Sequence, residues 1–207
     1  MKKYELTAEF IEKWGKKLFR IKALISFGSV EAGELGGYVE KEDNLAQDGD
    51  AWVYGDARVY GNARVCGNAR VCGDAEVYGD ARVCGNARVC GDAEVYGDAR
   101  VCGNARVCGN ARVCGDARVC DNADYLLIGR IGSRFSFTTF FKNKDKGITV
   151  SCGCFLGTIA EFRAKVTDTH GNNKHAKIYN LAADMAELQI LGEEHFDKLN
   201  TNKSEAF

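Results

Sequence analysis

The chain has 207 residues, of which 45% are hydrophobic, and its 28 basic and 29 acidic side chains leave a formal net charge of −1. That length holds a real core, either as one elongated domain with caps or as two small domains. No apolar run approaches the roughly 20 residues a membrane-spanning helix needs. The opening MKKYELTAEFIEKWGKK also lacks an apolar stretch and a small-residue cleavage site, so neither secretion nor a membrane partner is expected and a cytoplasmic location is.

In chain order, LFRIKAL alternates Phe19, Ile21 and Ala23 with Arg20 and Lys22, which predicts a strand paired back through a Trp14-Gly15 turn. The following stretch, GELGGYVEKEDNLAQDGDAWVYGDA, leads into a repeat whose open apolar end needs a cap. Residues 1–43 are therefore predicted to form an N-terminal β cap.

The repeat is the dominant signal. Twelve valines from Val53 to Val119 stand six residues apart, with an alanine two residues before each, from Ala51 to Ala117. A fixed short period marks a solenoid whose units must stack to bury their faces. Alternation along each short strand turns Ala and Val to one side and Arg and Cys to the other. Gly-Asn or Gly-Asp then turns the chain, because these residues enter positive backbone angles at low cost.

Three units make one triangular coil of eighteen residues, so residues eighteen apart stack at about 4.8 Å. One face carries Tyr60, Tyr78, Tyr96 and Cys114 beside Arg58, Glu76, Glu94 and Arg112. A second carries Cys66, Cys84, Cys102 and Cys120 beside Arg64, Arg82, Arg100 and Arg118. The third carries Tyr54, Cys72, Cys90 and Cys108 beside Trp52, Arg70, Arg88 and Arg106. Corners sort likewise, with Asp74, Asp80, Asp92 and Asp98 flanking the tyrosine face and Asn68, Asn86 and Asn104 on the opposite corner. The near-neutral total thus hides an acidic aromatic side and a basic side.

Eight of the ten cysteines occupy one register of the repeat, where they read as small outward side chains. Stacked neighbours such as Cys66 and Cys84 still lie near the lower limit of disulfide geometry. Metal capture is not expected, because ligands in a straight line do not form a tetrahedron.

Val53 with Ala57, and each later pair, resembles the inward aliphatic and small residues of the left-handed parallel β-helix of hexapeptide-repeat proteins. The resemblance implies left-handed winding over residues 44–124, although here Tyr or Cys, and then Gly, follows the aliphatic residue. Hexapeptide-repeat acyltransferases use a histidine base and loops that break out of the coils. From Ala51 to Ala123 this chain has neither; His170, His175 and His195 all lie later.

At Tyr125 the composition changes. YLLIGRIGSRFSFTTFFKNKDKGITVSCGCF reads as two or three antiparallel strands with a polar turn from Lys142 to Gly147. Thr158 and Glu161 form a capping box for a helix presenting Ile159, Phe162 and Val166, and a second helix follows Gly171-Asn172-Asn173 and stops at Gly192. Residues 125–196 are predicted as a small α+β domain and 197–207 as a flexible tail. GELGGYVEKEDNLAQDGDAWVYGDARVYGNARV at the front, with IGSR, GCFLGTIAEF and THGNN at the back, resembles a group of bacterial and prophage proteins described as hexapeptide-repeat transferases. That resemblance implies the architecture and a phage-like origin.

The expected fold is mainly β: a left-handed parallel β-helix with an N-terminal β cap and a small C-terminal α+β domain. Ser133, Arg134, Thr138, Cys154, Thr169, His170 and Asn172 are candidate ligand contacts, offering a cation, hydroxyls and an imidazole. Thr169-His170-Gly171 reads equally as a helix end followed by a turn. Tyr60, Tyr78 and Tyr96, stacked in the open, and Arg64, Arg82, Arg100 and Arg118 are the candidate interaction surfaces.

No catalytic residue, cofactor or metal is expected. The expected function is a non-enzymatic, phage-type binding or scaffold protein that forms a homo-oligomer and meets a host or phage protein. The alternatives are a hexapeptide-repeat acyltransferase and a nucleotide or nucleic-acid binding module that inhibits a host defence system. Strand phosphates repeat at wider spacing than the coils, which weakens the nucleic-acid alternative.

Overall fold

A computed structural model describes residues 1–194; His195 and the segment read as a flexible tail lie outside the described residues. By contacts the chain divides into two compact units, Met1–Asp116 with Cys120–Asn122, and Ala117–Val119 with the chain from Ala123 on.

The first unit opens with β1 (Tyr4–Lys13), β2 (Lys16–Ala23) and β3 (Leu35–Val39). β1 and β2 form a hairpin whose turn residues Trp14 and Gly15 take φ of 51° and 74°, the double positive φ that matches the twist of flanking strands. Twelve two-residue strands follow in the chain among the described residues, β4 to β15, the last of them grouped with the second unit: Trp52–Val53, Arg58–Val59, Arg64–Val65, Arg70–Val71, Glu76–Val77, Arg82–Val83, Arg88–Val89, Glu94–Val95, Arg100–Val101, Arg106–Val107, Arg112–Val113 and Arg118–Val119.

Their pairing is that of a parallel β-solenoid. Val53, Val71, Val89 and Val107 stand in parallel register on one face, and Val59, Val77, Val95 and Val113 on the next. β6, β9 and β12 pair in the same way. Each rung bonds through its backbone, as in Arg58 N–H to Ala75 O at 2.9 Å and Tyr60 N–H to Val77 O at 3.0 Å.

The valines and alanines of every unit from Ala51 to Val119 are fully buried, so these two residue types make up the repeat's interior. Burying one valine side chain is worth about 1.5–3 kcal/mol. Corners need glycine for two reasons, as Gly73 shows. Its φ is +72°, and a Cβ there would sit 3.0 Å from the Gly91 nitrogen one coil on. Asn68 and Asn86 donate along their corner to Asn86 and Asn104, each at 3.2 Å.

Polar groups close the first coil. Asn44 is fully buried and its amide donates to the carbonyls of Gly61 and Ala63 at 3.1 and 2.8 Å. Lys3 is only 2% exposed, and its ammonium donates to the carbonyls of Asp48, Gly49 and Ala51. Burial pulls the pKa of Lys3 down, against the pull of Asp48 and Asp50. Trp52 belongs to the outward register, yet it is fully buried because Tyr4 and Phe27 pack edge-on against it at 6.0 and 5.4 Å. β3 runs parallel to β5 and antiparallel to β2, so the hairpin continues the tyrosine-bearing sheet in the order β1-β2-β3-β5-β8-β11-β14.

That continuation corrects the expectation of an open tyrosine column. Tyr60 is 7% exposed, covered by Leu18 and Tyr38, with Ile11 and Tyr78 packed on the same cluster. Tyr78 and Tyr96 are half-buried. Of the eight repeat cysteines, Cys102 and Cys120 are joined as a disulfide and the rest are free thiols.

The second unit carries β16 (Tyr125–Ile131), β17 (Ser136–Lys142), β18 (Ile148–Cys152) and β19 (Phe155–Thr158) as an antiparallel meander. The sequence predicts two or three strands over residues 125–155; three lie there, and a fourth, β19, begins at Phe155. Gly153, at φ +60°, and Cys154 form a two-residue turn that returns Phe155 opposite Cys152. α1 (Ile159–His170) opens on the predicted capping box, with Glu161 N–H donating to Thr158 Oγ1 at 3.3 Å and Thr158 N–H to the Glu161 carboxylate at 2.8 Å. α2 (Lys174–Leu191) is capped by Asn173, whose side chain accepts from the His175 and Ala176 amides. The two helices pack on the sheet through Phe140, Val150, Phe162, Val166, Tyr179, Ala183 and Ile190.

Candidate functional site

The second unit holds a cavity of about 390 Å³ at the end of its sheet, against α1 and α2. Three segments build it. Hairpin β16–β17 contributes Ser133, Arg134 and Ser136; the β18–β19 turn contributes Cys152, Gly153 and Phe155; the helices contribute Phe162, Lys165, Val166, Thr169, His170 and Tyr179.

The hairpin loop is unusual in its backbone. Arg130 and Phe135, neither a glycine, take φ of 52° and 49° on either side of Gly132 at 73°. Such conformations cost about 1–3 kcal/mol each and persist only where the surroundings impose them. At Gly132 the cause is visible: a Cβ there would fall 1.9 Å from the Tyr179 hydroxyl oxygen, so glycine lets the phenol lie on the backbone.

Tyr179 is the organising side chain of the floor. Phe162 meets it edge-on at 5.6 Å, and His170 stacks on it at 5.8 Å with planes 27° apart. Burial first, and then the neighbouring Cys152, pushes the Tyr179 phenol up to about 12, so it stays neutral at physiological pH. The Thr138 hydroxyl donates to Cys152 Sγ at 3.2 Å. His175 lies 5.7 Å from His170, and its Nδ1 is buried without a hydrogen-bond partner.

Of the residues singled out from sequence, Ser133, Arg134, Thr169 and His170 converge on this cavity. Thr138, Cys154 and Asn172 do not. Thr138 is fully buried beneath Cys152, Cys154 points into solvent from its turn, and Asn172 is exposed after the end of α1. Lys165, Tyr179, Ser136 and Phe155 are added. Lys165 was within reach of sequence reasoning, because Phe162, Lys165, Val166 and Thr169 share one side of α1 at spacings of three and four.

On the solenoid, Tyr60, Tyr78 and Tyr96 stack face to face at 5.0 and 4.9 Å, in planes within 4° of each other. The Tyr60 and Tyr78 hydroxyls donate to Glu76 and Glu94 at 3.0 and 3.2 Å. Arg58 pairs with Glu76 at 3.1 Å, Arg112 with Glu94 at 3.4 Å, and Lys13 of the hairpin also reaches Glu76. The column therefore has internal partners on both sides. Arg64, Arg82 and Arg100 form an exposed, in-register row, whereas Arg118 is half-buried and donates to the Ala117 carbonyl at 2.8 Å.

Among the described residues no helix is long and apolar enough to cross a membrane. The family described as the YdcK beta solenoid repeat matches residues 51–67, 63–79, 81–97 and 99–115, all within the valine-alanine register. The repeat is similar to that family and supports a β-solenoid repeat protein. No curated protein matches the chain.

Proposed function

We propose that this chain is a non-enzymatic binding protein in which the solenoid is a scaffold and the C-terminal domain recognises a small ligand in its cavity. The observation that carries this reading is the convergence of Ser133, Arg134, Thr169 and His170 with Lys165 and Tyr179 on one concave site. Pockets of this kind, apolar with a few directed polar groups, are where small molecules bind. Repeat coils that continue from Ala51 to Ala117 without insertion or histidine support the non-enzymatic reading over acyl transfer.

The phage-type and cytoplasmic assignments belong to the same proposal, and the first of them rests on the resemblance of the two flanking segments. A homo-oligomer is proposed through the half-buried Tyr78 and Tyr96, with Asp74, Asp80 and Asp92 beside them to favour a basic partner surface.

The test is thermal unfolding of the full chain across a panel of small anions, cations, neutral rings, nucleotides and acyl-coenzyme A. Thr169 is exposed at the cavity, so Thr169→Trp narrows the mouth without touching the core. At least one ligand class should raise the melting temperature of the parent and not of Thr169→Trp. Equal protection of both proteins, or none from any class, refutes the assignment of the cavity. Turnover of acyl-coenzyme A with an amine acceptor refutes the non-enzymatic reading.

A further inference from the structure

The charges around the cavity are one-sided. Arg134 and Lys165 line it together with His170, and no Asp or Glu is among the residues lining it. Neither cation makes an ion pair with an acid among the described residues, whereas Arg163, on the same helix as Lys165, pairs with Asp184 and Glu187 at 2.7 Å each. Two unpaired cations at one mouth repel each other unless an anion enters between them.

Much of the rest of the lining is apolar and aromatic: Phe155, Phe162, Val166 and the ring of Tyr179. Size then narrows the class. A cavity of about 390 Å³ is near the lower end of small-molecule sites, enough for a single ring with one anionic group and too small for a nucleic-acid strand or a dinucleotide.

We propose that the cavity of the C-terminal domain binds a small organic anion, a phosphate or carboxylate group carried on a flat ring, with the anion held by Arg134 and Lys165 and the ring against Phe155 and Tyr179. This rests on the cavity being the recognition site. Ser133 and Ser136 supply hydroxyl donors to the same anionic group, and the neutral Tyr179 phenol supplies another. Phosphate and carboxylate offer the same acceptor chemistry here and differ in charge and geometry, which separate probes resolve.

Isothermal titration of the full chain with phenyl phosphate, benzoate, inorganic phosphate and benzyl alcohol tests the proposal. Phenyl phosphate or benzoate should bind about tenfold tighter than either inorganic phosphate or benzyl alcohol, because each of those lacks one half of the ligand. Arg134 and Lys165 are exposed, so each charge contributes modestly. Arg134→Gln and Lys165→Gln should each weaken binding about two- to fivefold, and the pair together by roughly tenfold, with unchanged melting temperature.

Benzyl alcohol binding as tightly as phenyl phosphate, or glutamine variants that bind as the parent does, overturns the anion assignment. If a neutral ligand still protects the parent and not Thr169→Trp, the recognition reading survives that failure. If no ligand of any charge protects the parent, both fall.

Discussion

Val89 offers the cleanest perturbation of the solenoid. It is fully buried in the middle coils, in register with Val71 below and Val107 above. Val89→Ala deletes two buried carbons, which at about 0.8 kcal/mol each costs about 1.6 kcal/mol in transfer alone. The narrow interior cannot collapse around the gap, so the cavity brings the total to about 2–2.5 kcal/mol. With a urea slope of about 2 kcal/mol per molar, the midpoint should fall by roughly 1 M. Val89→Asp places a carboxylate among valines and alanines with no donor in reach, and should cost several kcal/mol. Arg88 in the same strand points outward, so Arg88→Ala should change stability by no more than about 0.5 kcal/mol. Urea unfolding followed by far-ultraviolet circular dichroism compares the three. Solenoid stability is a sum over neighbouring coils, so a central lesion should also broaden the transition. An Arg88→Ala shift as large as that of Val89→Ala, or an unchanged midpoint for Val89→Asp, refutes the inward register.

Two further outcomes follow from particular contacts. Gly132→Ala sets a Cβ against the Tyr179 hydroxyl at a positive φ, so it should cost more than about 1 kcal/mol and displace the phenol, seen as a change in near-ultraviolet circular dichroism; a spectrum and melting curve matching the parent would remove Gly132 from the account. Burial first, and then the charge of Glu94, raises the Tyr78 phenol above its free value of about 10. The folded state therefore keeps a proton that the unfolded chain releases, its contribution is complete below pH of about 10, and stability should fall as pH rises beyond that. Tyr78→Phe should lessen this alkaline decline, and an identical decline in the variant would show that the column does not cause it.

The interior was legible because a two-residue strand alternates and a coil closes in eighteen residues, so the period alone sorted Val, Ala, Cys and Arg among three faces. Local chemistry was equally plain: Trp14-Gly15 had to turn, and Thr158 with Glu161 had to start a helix. What escaped was coverage by distant segments. Trp52 and Tyr60 stand at outward positions, and only Tyr4, Phe27, Leu18 and Tyr38, which arrive from earlier in the chain, bury them. No spacing rule announces that Lys3 would be buried against carbonyls more than forty residues away. The cavity was half legible for the same reason. Ser133-Arg134 and Thr169-His170 stood out as loop and helix-end residues, but Tyr179 and Cys152 join them only through the packing of α2 on the sheet. Cys154 and Asn172 stood out equally in sequence and fall outside the cavity, because each sits in a turn that faces solvent.

The most direct test of the recognition cavity is an imidazole proton spectrum of the full chain during titration with phenyl phosphate. Its three histidines are few enough to assign by single substitution. The resonances of His170 and His175 should move together and saturate with the ligand. Saturable binding that leaves His170 and His175 unmoved would place the ligand elsewhere and contradict the account.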